Sequence, residues 1–259
     1  MKRNSQPTGL ILVVSPHPDD AAFSVGATLG RLTQGGAGVT IVSCCTTSNW
    51  APNLPRGLCS TDIRAVRVIE DRAFAEAIGA TIVDLGHGDS SCRGYSDDNE
   101  CQHRRVGDSI VEDIRRDLAL IIERVSPDVV LAPAGIGAHI DHMATREAVL
   151  DLVGADSLAW YEDLPYAAAL APPVVAAALD QILGPAHVRV DLVVDPAVKR
   201  GLIEHYGSQV RHEERSALLQ VKTGPLCERI WSGELIAKRL CAILASCAPA
   251  DRAIHTRRR

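Results

Sequence analysis

The sequence predicts an α/β fold: a doubly wound, mostly parallel, Rossmann-like sheet with helices on both faces. Three observations carry this. Short, continuous apolar runs alternate with segments of helical spacing, which is the pattern of βαβ units with right-handed crossovers. The runs are apolar on every residue, as strands covered on both faces must be. The segments after the runs hold the histidines and aspartates, at the sheet edge where such folds bind ligands.

Residues 9–15 form the first strand, ending at Pro16, His17 and Asp19. Residues 21–34 have apolar positions at helical spacing, stopped by Gly35-Gly36, and residues 39–45 return as a second strand. Residues 46–60 contain Pro52, Pro55 and Gly57 and read as a long functional loop. Thr61-Asp62 caps a predicted helix that Gly79 stops after Ile78, and residues 80–85 are a third strand. A polar, glycine-rich loop over 86–105 precedes a helix over 106–125 and a fourth strand over 128–132. Another glycine-containing loop, 133–138, leads into a helix over 140–153, then a strand over 158–161. Beyond Glu162 the pattern weakens to a Pro/Ala-rich stretch, a strand over 188–194, and helices starting near Pro196 and Leu235. The tail Thr256-Arg257-Arg258-Arg259 reads as solvated and frayed. No linker interrupts the alternation, so residues 1–259 are expected to make one domain, with a core over 9–165 that residues 166–259 complete.

Composition excludes several classes. At 259 residues, 46% hydrophobic and 23% charged, the chain can bury a sizeable core and is neither disordered nor fibrous. Lys and Arg total 27 against 32 Asp and Glu, a net charge of −5, which supplies no basic field for nucleic acid. No apolar run reaches the length of a bilayer span, and the N-terminal stretch Leu10 to Val14 is too short for a signal-peptide core, so the expectation is a cytoplasmic protein without a membrane anchor. Its eight cysteines, at 44, 45, 59, 92, 101, 227, 241 and 247, have no metal or disulfide spacing and read as thiols, Cys44 and Cys45 as small buried apolar residues. Homo-oligomers are compatible with the sequence.

The turn after the first strand lacks G-x-G-x-x-G, Walker A spacing is missing, and no serine sits in G-x-S-x-G, so nucleotide-binding and serine-hydrolase readings lose support. That turn reads Ser15-Pro16-His17-Pro18-Asp19-Asp20, which brings His17 and Asp20 toward one point while Asp19 points elsewhere. A second cluster, Gly135-Ile136-Gly137-Ala138-His139-Ile140-Asp141-His142, follows the fourth strand. Two histidines and a carboxylate from these clusters make an open zinc site with room for water; iron and cobalt also fit such donors, magnesium less well.

These residues resemble the PIG-L/LmbE-type zinc-dependent N-deacetylases, through Pro16-His17-Pro18-Asp19-Asp20 and Pro133-x-Gly135-x-Gly137-x-His139-x-Asp141-His142. The family includes N-acetylglucosaminyl-phosphatidylinositol de-N-acetylase and deacetylases of thiol and antibiotic biosynthesis. Looser matches are Arg67-x-x-Glu70-Asp71, Tyr161-Glu162-Asp163-Leu164-Pro165-Tyr166, and Lys199 leading to Tyr206-x-Ser208-Gln209. One departure is Ala21, where the family usually has Glu, and altered support of the site is expected from it. The resemblance implies His17, Asp20 and His142 as Zn²⁺ ligands, Asp19 as general base, and His139 as a cation facing the oxyanion. Asp141 would orient His139 or keep it charged, or simply favour the helix dipole.

The implied activity is removal of an N-acetyl group from a small-molecule amino sugar with release of acetate. Alternatives are an amidase acting on a thiol conjugate, and a sugar-binding protein with a relict metal site, against which the intact Asp19 argues. Arginine outnumbers lysine and alanine is abundant, a composition that points toward a high-GC bacterium and so toward thiol or antibiotic biosynthesis. For the substrate, Trp50 is a candidate to stack on a sugar face, and Asp89 and Arg93 are candidates to contact hydroxyls, with Arg67 added from its motif. The histidines at 87, 103, 187, 205, 212 and 255 have no metal-like spacing, His87 being the one nearest a strand end of interest.

Overall fold

The computed structural model describes residues 7–96, 100–184, 187–211, 215–219, 225–245 and 254–258. Cys247, His212 and Arg259 lie outside the described residues. In chain order the elements begin with β1 (Leu10–Ser15), α1 (Asp20–Gln34), β2 (Gly38–Thr47), α2 (Ser60–Ile78) and β3 (Thr81–Gly88). They continue with α3 (Ile110–Val125), β4 (Val129–Pro133), α4 (Ile140–Leu150), β5 (Leu158–Tyr161), α5 (Tyr166–Ala169) and α6 (Pro172–Leu183). The last are β6 (Val188–Val193), α7 (Pro196–Ile203), α8 (Arg215–Leu218), β7 (Cys227–Ser232), α9 (Glu234–Ala245) and β8 (Ile254–Arg258).

All eight described strands join one sheet in the order β3-β2-β1-β4-β5-β7-β6-β8. The strands from β3 to β5 run parallel, and β7, β6 and β8 add antiparallel pairings. This is the doubly wound α/β class expected. The chain moves outward from β1 to β3, then returns to place β4 on the other side of β1. With right-handed crossovers, that reversal puts α1 and α2, which touch, on one face and the contacting pair α3 and α4 on the other. Between β1 and β4 the connections therefore part in opposite directions, and a crevice opens beyond the strands' carboxyl ends. The strands on either side are apolar and buried: Ile11 to Val14 and Val129 to Ala132 are at most 1% exposed.

Boundaries differ from the sequence reading in instructive places. Cys59, not Thr61 or Asp62, occupies the N-cap of α2, and no side chain caps it. The third helix starts at Ile110 because Gly107 takes a left-handed φ of 86° and Val106 is fully exposed. The Pro/Ala-rich stretch is helical from Pro172, its prolines sitting in the first helical turn where no amide is needed. The tail is not frayed: Ile254–Arg258 pairs antiparallel with β6 as the last strand of the sheet. An arginine-rich edge strand carries no apolar alternation, so periodicity could not find it.

The C-terminal part is fastened to α1 by a buried ion pair. Lys199 on α7 donates to Glu228 on β7 at 2.5 Å and to the Ala22 carbonyl at 3.2 Å, and Glu228 also accepts from the amides of Ala27 and Thr28. Breaking such a pair from one side strands a charge. Lys199→Met is expected to lower unfolding free energy by about 3–5 kcal/mol, read by urea titration. The double variant Lys199→Met/Glu228→Gln should recover a substantial part; equal losses in both would mean the charges are not coupled.

Candidate active site

The first cluster is built by a turn that closes on itself at the end of β1. Ser15 Oγ donates to the His17 carbonyl at 2.6 Å and accepts from the Ala21 amide at 3.1 Å. Ala21 is fully buried, so at the position of the family's usual Glu this chain places a core methyl group, and a serine hydroxyl closes the turn. Asp19 occupies the N-cap of α1 and Asp20 its first turn, where the helix dipole favours negative charge. At the end of β4, Gly135, Gly137 and Ala138 all have positive φ, which folds the loop back so that His139 becomes the N-cap of α4. Asp141 and His142 follow in the first turn, both fully buried.

Three donor atoms from these clusters converge. Asp20 Oδ2 accepts from the His17 amide at 2.8 Å and lies 3.1 Å from His17 Nδ1 and 3.3 Å from His142 Nε2. Each imidazole is held from behind by a second carboxylate: His17 Nε2 lies 2.9 Å from Asp141 Oδ2, and His142 Nδ1 lies 2.7 Å from Asp163 Oδ1. Histidines that bind a metal through one nitrogen and donate from the other to a carboxylate have this arrangement. The fit is supported by His142 Nε2, which is buried and makes no aligned hydrogen bond although it points into the cluster.

The charges agree. Burial opposes ionisation of His17, yet Asp20 and Asp141 raise its pKa to about 9. Burial likewise opposes ionisation of His142, which Asp20 and Asp163 nonetheless raise well above the ordinary histidine value. Asp20 is held far below the carboxylate range, burial being outweighed by His142 and His17. The cluster thus favours positive charge at its centre, and a divalent cation would displace those protons. A second grouping, His17, His139 and Asp141, is also compact. Its carboxylate is already committed: Asp141 accepts from Arg93 Nη2 at 2.6 Å and from the Ser90 amide at 2.9 Å, besides His17.

Those contacts bear on the roles expected of Asp141 and His139. Asp141 Oδ2 lies 2.9 Å from His17 Nε2 and 4.0 Å from His139 Nδ1, so it backs His17 closely, and its pull toward a charged His139 is outweighed by burial and the neighbouring histidines. His139 Nδ1 instead accepts from the Asp141 amide at 3.3 Å as the cap of α4, a bond that an imidazolium cannot make. Burial, with His17 and His142 beside it, pushes the His139 pKa down to about 3. The cap and the burial together favour an uncharged His139 ring whose Nδ1 accepts.

A cleft of about 380 Å³ opens over the cluster, lined by His17, Asp19, Asp20, Arg67, His139 and Tyr166 among others. Asp19 faces it from beside Asp20, paired with Arg67 Nη2 at 3.2 Å. Burial raises the Asp19 pKa, while Arg67 pulls against it. Trp50 lies on the rim, 51% exposed, with the Arg211 guanidinium 4.7 Å from its ring centroid. Asp89 lines the cleft but spends its Oδ1 on Ser91 Oγ and the Cys92 amide, fixing the loop after β3. Arg93 does not line the cleft: its guanidinium is taken up by Asp141, Asp108 and the Gly88 carbonyl. It anchors the carboxylate behind His17, a role that its polar loop did not reveal in the sequence. His87 is likewise turned to Asp117 at 3.1 Å.

Asp163 is the functional residue that spacing missed, quoted only within a loose motif. The signal was available: it follows β5, the next parallel strand, at the same sheet edge. It also accepts from the Ile136 amide at 2.9 Å, so one carboxylate fixes both the loop after β4 and the His142 ring.

Comparison with known proteins adds an independent observation. A family model described as GlcNAc-PI de-N-acetylase, PIG-L, matches residues 12–153. The chain is 35% identical over 235 residues to 2'-N-acetylparomamine deacetylase of Streptomyces fradiae, covering 87% of this chain and 82% of that one. It is 32% identical over 160 residues to 1D-myo-inositol 2-acetamido-2-deoxy-alpha-D-glucopyranoside deacetylase of Actinosynnema mirum, covering 57% and 56%. Among solved structures, a deacetylase in the biosynthesis pathway of teicoplanin superposes with a TM-score of 0.64 at 25% identity, over 86% of this chain and 96% of the other.

Replacing Asp163 by Ala should weaken divalent-cation affinity about 10- to 100-fold, the usual effect of losing a carboxylate behind a ligand histidine. Competition with a chromophoric chelator measures it. Wild-type affinity in that variant would show that Asp163 does not set the His142 ring.

Proposed function

The chain belongs to the GlcNAc-PI de-N-acetylase (PIG-L) family of metal-dependent N-deacetylases, and on that premise we propose that it removes the N-acetyl group from a small amino sugar, with Zn²⁺ as its metal and acetate as a product. The observation that carries this is the convergence of His17 Nδ1, Asp20 Oδ2 and His142 Nε2 at the floor of a cleft that also holds Asp19. Two imidazoles and one carboxylate favour zinc over magnesium and leave a position for water. The size of the cleft and the exposed Trp50 on its rim suit a substrate of a few rings, of the kind named for the Streptomyces fradiae relative. Trp50 would stack on a ring face, and Arg67 and Asp89 would offer polar edges beside it. Eight cysteines without disulfide spacing fit a cytoplasmic setting.

When bound, Zn²⁺ supplies a Lewis acid that brings the pKa of water toward about 7 and polarises an amide carbonyl. The remaining work falls to side chains. Asp19 accepts the proton of the attacking water at a carboxylate oxygen and returns it to the departing nitrogen. Arg67 pairs with that carboxylate and draws its pKa down against the effect of burial. His139 donates a hydrogen bond from its ring to the carbonyl oxygen as charge builds there.

Two outcomes test the assignment in a coupled acetate-release assay with 2'-N-acetylparomamine and N-acetylglucosamine. Asp19→Asn should keep its metal and lose roughly 10²- to 10⁴-fold in kcat; loss of metal in that variant would mean that the roles of Asp19 and Asp20 are exchanged. Arg67→Met should move the acid limb of the kcat/KM profile to higher pH. The sign follows from charge: removing the guanidinium removes what lowers the Asp19 pKa, so the base needs a higher pH to ionise. An acid limb that stays in place would remove Arg67 from the account of Asp19.

A further inference from the structure

Tyr166 is placed with more care than a residue of the cleft wall needs. It opens α5 three residues after Asp163, whose carboxylate pins this segment to His142 and to the loop after β4. Its ring stacks on His139, centroids 6.0 Å apart at 30°, and meets His142 edge-on at 5.3 Å and 85°. The loop after β4 is shaped to admit it. A Cβ on Gly137 would lie 2.6 Å from Tyr166 Cβ and 2.8 Å from its Cγ, and Gly137 has a φ of 93°, so glycine alone meets both demands. The ring therefore stands where a side chain of residue 137 would otherwise enter the cleft.

The hydroxyl is the telling atom. Tyr166 is half-buried, and among the described residues its hydroxyl makes no hydrogen bond to protein, while the residue lines the cleft together with Asp19, Asp20 and His139. A phenol is protonated at neutral pH and donates one hydrogen bond. The acceptor that arrives in this cleft is the oxygen of the acetamido carbonyl, and Tyr166 and His139, one stacked on the other, approach it as neighbours.

We propose that Tyr166 is a catalytic residue whose hydroxyl donates a hydrogen bond to the acetamido carbonyl oxygen, sharing with His139 the negative charge that develops there. This rests on the deacetylase reading above. As water adds to the carbonyl carbon its proton passes to Asp19, and the π pair of the carbonyl moves onto oxygen. The bond from Tyr166 shortens at that point, without transfer of its proton. When the C–N bond breaks, its electron pair stays on nitrogen, which takes the proton from Asp19, and the oxygen's pair re-forms the carbonyl of the acid released. Tyr166 is unchanged at the end of the cycle.

Tyr166→Phe removes one oxygen atom and keeps the ring, so packing on His139 and fit against Gly137 persist. With the metal-loaded protein and N-acetylglucosamine or 2'-N-acetylparomamine, kcat should fall roughly 10²-fold, with KM, metal content and thermal midpoint near wild type. The loss should shrink with the N-trifluoroacetyl analogue, whose fluorines already stabilise the oxyanion. A merely structural role would not move that ratio. A second readout needs no turnover. Binding of N-methylphosphonyl-glucosamine, a tetrahedral mimic, should weaken in Tyr166→Phe by about the factor lost in kcat/KM, while binding of glucosamine stays put. Wild-type kcat and wild-type affinity for the mimic in the variant would overturn the role of Tyr166 alone. A wild-type chain that neither cleaves these acetamides nor binds the mimic would overturn the deacetylase reading, and the role of Tyr166 with it.

Discussion

Asp20 stands between two imidazoles, and the surrounding structure is arranged so that those three groups cannot drift apart. Left alone, a buried carboxylate flanked by histidines could be satisfied by turning either ring a few tens of degrees. Here neither ring is free to turn, because Asp141 takes the far nitrogen of His17 and Asp163 the far nitrogen of His142. The two backing carboxylates are themselves fixed, Asp141 by Arg93 and the Ser90 amide, Asp163 by the Ile136 amide. Four strand ends, those of β1, β3, β4 and β5, thereby contribute to one centre. The reversal of strand order beside β1 leaves those ends uncovered.

The same logic extends outward along α2. Its Arg67, Glu70 and Asp71 point to three different partners: Arg67 to Asp19, Glu70 to the amide and hydroxyl of Ser208, and Asp71 to Ser43 and Tyr206. The C-terminal part is thus tied to the helix whose Arg67 pairs with Asp19, and Gln209, next to Ser208, reaches the cleft. Lys199 and Glu228 make a second tie, directly into α1, whose first turn supplies Asp20. Residues 187–245 contribute less chemistry than residues 12–153, but they hold two of the site's helices in place.

The parallel half of the fold was legible because burial on both faces forces continuous apolar runs, and glycine stops such as Gly79 mark helix ends. The convergence of His17, Asp20 and His142 was legible because it is local: His17 and Asp20 share a turn, and His142 lies in another turn at the same sheet edge. What failed to show was non-local or defined by a hydrogen bond. The partner of Asp141 depends on where the loop after β3 brings Arg93, and no spacing encodes that. The cap that His139 makes to the Asp141 amide did not show either, because caps made by histidine leave no pattern. In the C-terminal part, prolines that open α6 resembled breakers, and β8 carries arginines where a strand pattern would carry apolar residues.

The central claim is that one cation is held by His17, Asp20 and His142, with Asp141 and Asp163 behind the histidines. Anomalous scattering at the zinc edge from crystals of the protein equilibrated with Zn²⁺ tests it most directly. The account predicts a single strong peak about 2.0–2.2 Å from His17 Nδ1, Asp20 Oδ2 and His142 Nε2, with Asp19 outside the coordination sphere. A peak bounded by His17, His139 and Asp141, or no peak at this strand edge at saturating zinc, would contradict it.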